Sequence, residues 1–260
     1  MTPLALPEKY PDHPERVILV VPHAGGGAAV ANSLRQAAPA GWLVAGVMFG
    51  GRESRFLDDP PAGLDDLVTD TVRAAVEVAD LAAVPPLLVG QCSGALVAWL
   101  AAARLAGRGD ATAGLVVVSR SAPSWPGEIP DATADDAQFL RQVIDMGGVP
   151  PEVADMPDLL DLLLPSLRAD FAALAEWPSL AAAPIVPLRG PALVLSAPGD
   201  PCCPDDALLA WCGHLTEPAF FHVDGRHFLL GENPVAVARL IRELIPTPKN
   251  SRRSDNAGTF

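Results

Sequence analysis

Short apolar runs rich in β-branched residues recur along the chain, separated by longer stretches with helical spacing. Val17–Val21, Leu43–Phe49, Leu87–Gly90, Leu115–Ser119, Ala192–Ala197 and Phe220–Val223 read as strands. Their apolar character is continuous, not alternating, so they are expected to be buried on both faces. Between them, Ala28–Ala38, Leu64–Ala83, Ser93–Gly107, Asp205–His214 and Pro234–Ile245 carry helical patterns, several with Asp or Pro at the start or Gly at the end. Strands alternating with helices predict a mainly parallel central sheet with helices on both faces, which is the α/β class.

One stretch departs from this alternation. From 121 to 188 no strand pattern appears, only amphipathic helical segments at Asp135–Met146, Pro151–Leu164 and Ser166–Glu176. An inserted helical lid accounts for it, because sites in open α/β sheets lie beyond the carboxyl ends of the strands, where this insertion emerges. The expected organisation is a flexible segment over 1–16, an α/β domain over 17–247 with the lid at 121–188, and a disordered tail over 248–260, where no apolar period remains.

Composition narrows the partners. With 260 residues, half of them apolar, one well-buried domain is expected. A net charge of -13 argues against nucleic acid and against an anionic membrane, both of which would repel such a surface. The first 15 residues carry no secretory pattern, and no apolar run approaches the roughly 20 residues that span a bilayer. A cytoplasmic monomer with reduced thiols is therefore expected. Cys202, Cys203, Cys212 and His214 lie close in sequence, but adjacent cysteines lack the spacing of ordinary zinc knuckles, so no metal is expected.

The segment Leu87-Leu88-Val89-Gly90-Gln91-Cys92-Ser93-Gly94-Ala95 runs from a strand through a sharp turn into a helix. This is the pattern of a nucleophile elbow, in which the residues two before and two after the nucleophile must be small because strand and helix approach closely there. Gly90 and Gly94 satisfy that rule only if Cys92 is the nucleophile. Ser93 would place Gln91 and Ala95 at those positions. A thiol needs a base, and His227, between the last strand and the last helix, is in the right place. Asp200, in the turn after the Ala192–Ala197 strand, completes the order nucleophile, acid, base of the α/β-hydrolase fold. His23, His214 and His222 lack this setting, His222 falling within a strand, and Asp224 is a fallback acid too close to His227 in sequence. The oxyanion hole is expected from the amide of Ser93 and from the Ala24 amide in the turn Pro22-His23-Ala24-Gly25-Gly26-Gly27. That turn lacks the lysine of a P-loop, which weakens a phosphate-binding alternative.

Together these residues resemble the type II thioesterases that accompany polyketide synthases and nonribosomal peptide synthetases. Val21-Pro22-His23-Ala24-Gly25-Gly26 resembles that family's oxyanion turn. Gly51-Arg52-Glu53-Ser54-Arg55 followed by Asp58-Asp59-Pro60-Pro61 is similar to its Gly-Arg-Glu-x-Arg segment, and Val118-Ser119-Arg120-Ser121-Ala122-Pro123 to its entry into the lid. Asp200-Pro201 and Gly225-Arg226-His227-Phe228 resemble its acid and base segments. The resemblance implies action on acyl groups held as thioesters on the phosphopantetheine arm of an acyl or peptidyl carrier protein, with no cofactor of the enzyme's own. Three departures stand out: Gln91 replaces a histidine, Cys92 replaces the usual serine, and Gly50 stands where proline is usual. Attack by a cysteine exchanges one thioester for another and keeps the acyl group reactive, so the acyl-enzyme is expected to end in hydrolysis or, alternatively, in transfer to an amine or hydroxyl by a cyclase or acyltransferase. A carrier-binding module without activity is the remaining alternative.

Overall fold

A computed structural model describes residues 1–125, 129–149, 151–177 and 186–248. Seven strands form one sheet: β1 (Leu4–Ala5), β2 (Arg16–Val21), β3 (Trp42–Val47), β4 (Pro86–Gln91), β5 (Gly114–Val118), β6 (Ala192–Ser196) and β7 (Pro218–His222). Their order is β1-β3-β2-β4-β5-β6-β7, parallel throughout except for β1, which pairs antiparallel with β3. The connecting helices are α1 (Ala31–Ala37), α2 (Leu64–Ala82), α3 (Ser93–Arg108), α4 (Asp136–Asp145), α5 (Pro151–Ala154), α6 (Pro157–Leu174), α7 (Asp205–Leu209), α8 (Leu229–Glu232) and α9 (Pro234–Leu244). This is the α/β-hydrolase architecture with its helical insertion between β5 and β6.

The pleat sorts the core into two layers. In β2, Val17, Leu19 and Val21 point to the layer that also holds α2, α3 and the insertion. Ile18 and Val20 point to the layer covered by α1 and α9. Burial on both faces follows, and every residue of β2 to β6 is buried, which is why these strands lack polar alternation. After β2 the chain moves out to β3, then returns to place β4 on the other side of β2. The carboxyl ends of β2 and β4 therefore flank the point where the sheet changes direction, the place where an open α/β sheet leaves a crevice.

Two expectations are corrected. The segment 1–16 is not uniformly flexible: Leu4 and Ala5 pair with Val47 and Gly46, and Leu4 is buried. A two-residue strand is too short to produce a periodic signal. The helical segments Pro151–Leu164 and Ser166–Glu176, expected to be separate, are instead the short α5 and the continuous α6 with Pro165 inside it. The proline removes one N–H from the ladder, but Leu160, Leu167 and Phe171 are buried on either side of it and keep the helix in place. Most of the expected tail, from 249 onward, lies outside the described residues, as do 126–128, 150 and 178–185 of the expected lid.

The stems of the insertion are fixed by aromatic packing. Trp99 of α3 meets Trp177 edge-on at 5.8 Å and Trp211 at 6.1 Å. The indole of Trp177 donates to the Pro123 carbonyl at 2.9 Å, and that of Trp211 to the Arg120 carbonyl at 2.8 Å. Both buried indole N–H groups are thereby satisfied by the chain that leaves β5.

Candidate active site

Cys92 sits between β4 and α3 with φ 53° and ψ -126°, a left-handed backbone that a non-glycine residue adopts only when its surroundings force it. The forcing is visible on both sides. A Cβ on Gly90 would overlap Ala95 and the Gly94 carbonyl, and one on Gly94 would overlap the carbonyls of Val21 and Pro22. Strand, turn and helix thus touch backbone to backbone, and the Cys92 amide donates to Val118 at 2.8 Å. Gly50 has a similar cause, since a Cβ there would meet the Asp59 carbonyl.

His227 follows β7 and is buried. Its Nδ1 pairs with Asp200 Oδ2 at 2.8 Å, and the Asp200 side chain is fully buried. Asp200 is further held by the Cys202 amide, which donates to Oδ1 at 3.0 Å. The imidazole therefore takes Asp200 and not Asp224 as its carboxylate. The other ring nitrogen, Nε2, is buried without a hydrogen-bond partner, while the imidazole as a whole lies close enough to Cys92 for each to shift the other's titration. Burial on its own would push the Cys92 thiol up, but the charge and hydrogen bond of His227, with Arg120 and the Ser93 amide, hold it below the ordinary thiol range. Conversely, burial alone would lower His227, but the Cys92 charge and the bond to Asp200 push it up to about 10. The two shifts run in opposite directions and share one cause, the mutual attraction of the two groups. The neighbouring thiols behave oppositely: burial pushes Cys202 up to about 12 and Cys203 upward as well.

The remaining histidines stand apart from this pair. His222 ends β7 half-exposed, with Nδ1 3.2 Å from Ser196 Oγ. His214 Nε2 pairs with Ser124 Oγ at 2.9 Å. His23 is nearer, its ring edge-on to Phe228 at 4.8 Å, but its Nδ1 is engaged with the Ala24 carbonyl at 3.0 Å. Cys202, Cys203, Cys212 and His214 are not gathered as metal ligands. Among the described residues the one such group is Asp200, Cys202 and His227, two of which are already paired with each other.

The turn after β2 is held by side chains. Asp170 of α6 accepts Gly25 N–H at 2.8 Å and receives both Arg52 amino groups at 2.8 Å, while Arg52 also donates to the Gly26 carbonyl at 2.9 Å. Both charged side chains are almost wholly buried. Glu53 caps the following helical turn through the amides of Ala28 and Ala29, at 2.8 and 3.0 Å. Amides that a phosphate would need are thus bonded to the chain's own carboxylates, which removes the phosphate-binding alternative. The Ala24 amide donates to Ser93 Oγ at 2.7 Å. Ser93 itself is buried with its hydroxyl turned to that amide, so it is not placed as a nucleophile.

Sequence reasoning missed three contributors. Arg52 and Asp170 lie 118 residues apart, and Glu53 caps a helix 24 residues before it; the Gly-Arg-Glu-x-Arg segment marked the first and third without indicating a role. Gln91, recognised only as part of the elbow, accepts the Leu230 amide at 2.8 Å and so ties the elbow to α8, directly after His227. A cavity of about 270 Å³ opens beside Asp200 and His227, with Met146 and Val149 from the insertion and Cys202 and Phe228 in its wall.

A cysteine on a strained strand-to-helix turn, with a histidine paired to a buried carboxylate from later loops, is an arrangement of the α/β-hydrolase fold. A thioesterase-domain family model matches residues 16–245, and the chain belongs to that family. It is 26% identical over 234 residues to the probable anguibactin biosynthesis thioesterase AngT of Vibrio anguillarum, covering 87% of this chain and 90% of that one. Among solved structures it is similar to YbtT, a type II thioesterase of the yersiniabactin pathway, with 26% identity, a TM-score of 0.77 and coverage of 94% and 98%. It is also similar to RedJ, the thioesterase of the prodiginine pathway in Streptomyces coelicolor, with 27% identity, a TM-score of 0.77 and coverage of 92% and 89%. Within its family the chain groups with the type II thioesterases of nonribosomal peptide and polyketide pathways.

Proposed function

We propose that this thioesterase releases acyl or peptidyl groups from the phosphopantetheine thioesters of carrier proteins through an acyl-enzyme on Cys92, ending in hydrolysis. The observation that carries the reading is the buried His227–Asp200 pair, 2.8 Å apart, whose imidazole lowers the thiol of Cys92 on the strained turn between β4 and α3. The Cys92 thiolate attacks the thioester carbonyl, and the oxyanion forms near the amide of Ser93; the Ala24 amide, which donates to Ser93 Oγ, would have to exchange that bond to join it. Collapse breaks the bond to the pantetheine sulfur, which leaves with the proton from His227. Acylation removes the Cys92 charge that had raised His227, so the imidazole becomes neutral and is ready to take a proton from water. Water then attacks the acyl-enzyme, the free acid departs, and the Cys92–His227 pair reforms. No cofactor enters any step. The cavity beside His227, lined largely by apolar groups, suits an acyl chain, and its wall includes insertion residues that would have to admit the carrier's arm.

A second reading is favoured by the cysteine itself. A thioester acyl-enzyme retains reactivity toward amines that a serine ester loses, which suits transfer to an amine or hydroxyl. The intact Cys92, His227 and Asp200 speak against a merely carrier-binding module. Incubation with an acyl-N-acetylcysteamine thioester, followed by mass spectrometry, is expected to add the acyl mass to Cys92 and leave Cys92→Ala unmodified. Free acid as the sole product, with the native acyl chain and an added amine present, supports hydrolysis; an amide product supports transfer. Unchanged turnover in Cys92→Ala would sink the nucleophile assignment.

A further inference from the structure

The two stems of the insertion meet on one buried histidine. His214 follows the short turn that contains Trp211 and is 7% exposed. Its Nε2 lies 2.9 Å from the Oγ of Ser124, on the chain that leaves β5. Its carbonyl accepts the amide of Leu188, on the chain that returns to β6, also at 2.9 Å. Leu188 is held a second time, its own carbonyl accepting the Thr216 amide at 3.1 Å. The imidazole packs T-shaped against two indoles, 5.3 Å from Trp99 and 5.9 Å from Trp211, and the Trp99 N–H reaches the His214 carbonyl at 3.4 Å. One residue thus bonds the outgoing stem through its ring and the returning stem through its backbone.

The other ring nitrogen, Nδ1, is buried without a hydrogen-bond partner among the described residues. A neutral imidazole tolerates this, since one of its nitrogens carries no proton. A protonated ring has two N–H groups and only Ser124 to receive them, so the added proton leaves a charged donor buried and unsatisfied. No counter-charge offsets it. Trp99, Trp211 and Ser124 carry no charge, and Arg120, Arg189, Cys212 and Glu217, the ionisable residues nearest these contacts in sequence, leave the ring's titration unmoved; burial alone pushes it down. A lowered histidine weakens the closed arrangement as pH falls through the ordinary histidine value of 6.5. We infer that His214 is an acid-operated clasp: its neutral ring ties both stems of the insertion to the sheet, and protonation lets them go while the sheet stays folded. Met146 and Val149, in the wall of the cavity beside His227, belong to the insertion, so release uncovers that cavity.

The test is hydrogen exchange on the full chain, read by mass spectrometry and corrected for the intrinsic effect of pH, comparing residues 119–125 and 186–190 with strands β2 to β4. In the wild type the stems are expected to exchange about tenfold faster at pH 5.5 than at pH 6.5, the dependence that one proton imposes, with the strands unchanged. Tryptophan emission should move to longer wavelength over the same range as Trp99 and Trp211 meet water. His214→Phe keeps a ring between the indoles, and His214→Gln keeps a donor toward Ser124; neither can be protonated, and both are expected to keep the stems closed across the range. Wild-type stems that exchange alike at both pH values overturn the inference. So does a rise that persists in both variants, since another group would then be titrating. Strands that open in step with the stems overturn it as well, because the event would be global unfolding. Stems open at every pH in both variants would show that the ring's packing and not its charge holds them, with the same result. A transition above the ordinary histidine range would mean that the indoles favour the charged ring, and that too ends the inference.

Discussion

The elbow around Cys92 and the turn around Ala24 lie side by side at the ends of β4 and β2, yet they are held by different physics. The elbow is fixed by backbone pressed on backbone, with Gly90 and Gly94 leaving no space for a side chain. The turn is fixed by charge brought from elsewhere, Arg52 from the segment after β3 and Asp170 from α6. Leu167, one turn earlier on α6, also packs over Gly25. The geometry of Cys92 is therefore local and independent of the insertion, whereas the turn's geometry depends on where α6 lies. Cys92 can thus keep its strained backbone while the turn around Ala24 follows the position of α6.

Breaking the charged clasp is expected to have the largest effect. Arg52→Ala or Asp170→Ala leaves a buried charge without its partner and should cost about 3–5 kcal/mol in chemical denaturation. Replacing both, as Arg52→Met with Asp170→Leu, should recover much of that loss, and a double-mutant cycle measures the coupling. The elbow offers no such rescue. Gly94→Ala forces a Cβ against two backbone carbonyls, with an expected loss of about 3 kcal/mol and a fall in Tm of roughly 10 °C. If a second substitution on α6 relieved Gly94→Ala, the elbow would not be independent of the lid. Next in size, Gln91→Ala removes the acceptor of the Leu230 amide and should lower kcat about tenfold through misplacement of His227, with Gln91→Glu, which keeps an acceptor, less affected.

The pH dependence is the mildest test and separates the two regions by titration. His227 is raised, so its contribution to stability is complete below the ordinary histidine value and is lost as pH climbs through about 10. Cys92 is lowered, so its contribution is present above the ordinary thiol value and is lost as pH falls through the lowered one. The rate of Cys92 alkylation should accordingly rise at a pH below that of a free thiol near 8.5 and then level off. The acylation rate, measured as kcat/KM, should rise with it but fall again near pH 10 as His227 gives up its proton. Alkylation that follows an ordinary thiol titration would dissolve the thiolate–imidazolium pair.

This contrast also explains what the sequence discloses. Six strands are legible because burial on both faces leaves continuous apolar runs, and Gly90 and Gly94 mark Cys92 as the strained residue of the turn because steric exclusion leaves a mark at fixed spacing. The order of Cys92, Asp200 and His227 follows from the connectivity of the fold. Ion pairs leave no such mark: nothing near Asp170 shows that its partner lies 118 residues earlier, and nothing near Gln91 shows that its acceptor oxygen meets Leu230. Strand β1 and helix α8 were too short for any period to register. Pro165 misleads because a proline ordinarily ends a helix, and only the packing of Leu160, Leu167 and Phe171 overrides it here.

The insertion has one more property, which follows from where it joins the sheet. It leaves the carboxyl end of β5 and must reach the amino end of β6, the neighbouring parallel strand. It is thus the crossover connection itself, the chain's return journey along a strand length of roughly 20 Å. Cys92 lies on one side of that connection in sequence, and Asp200 and His227 on the other. The covering of the sheet's carboxyl end and the covalent link between Cys92 and the Asp200–His227 pair are carried by the same piece of polypeptide, which can be lengthened or restyled but not deleted.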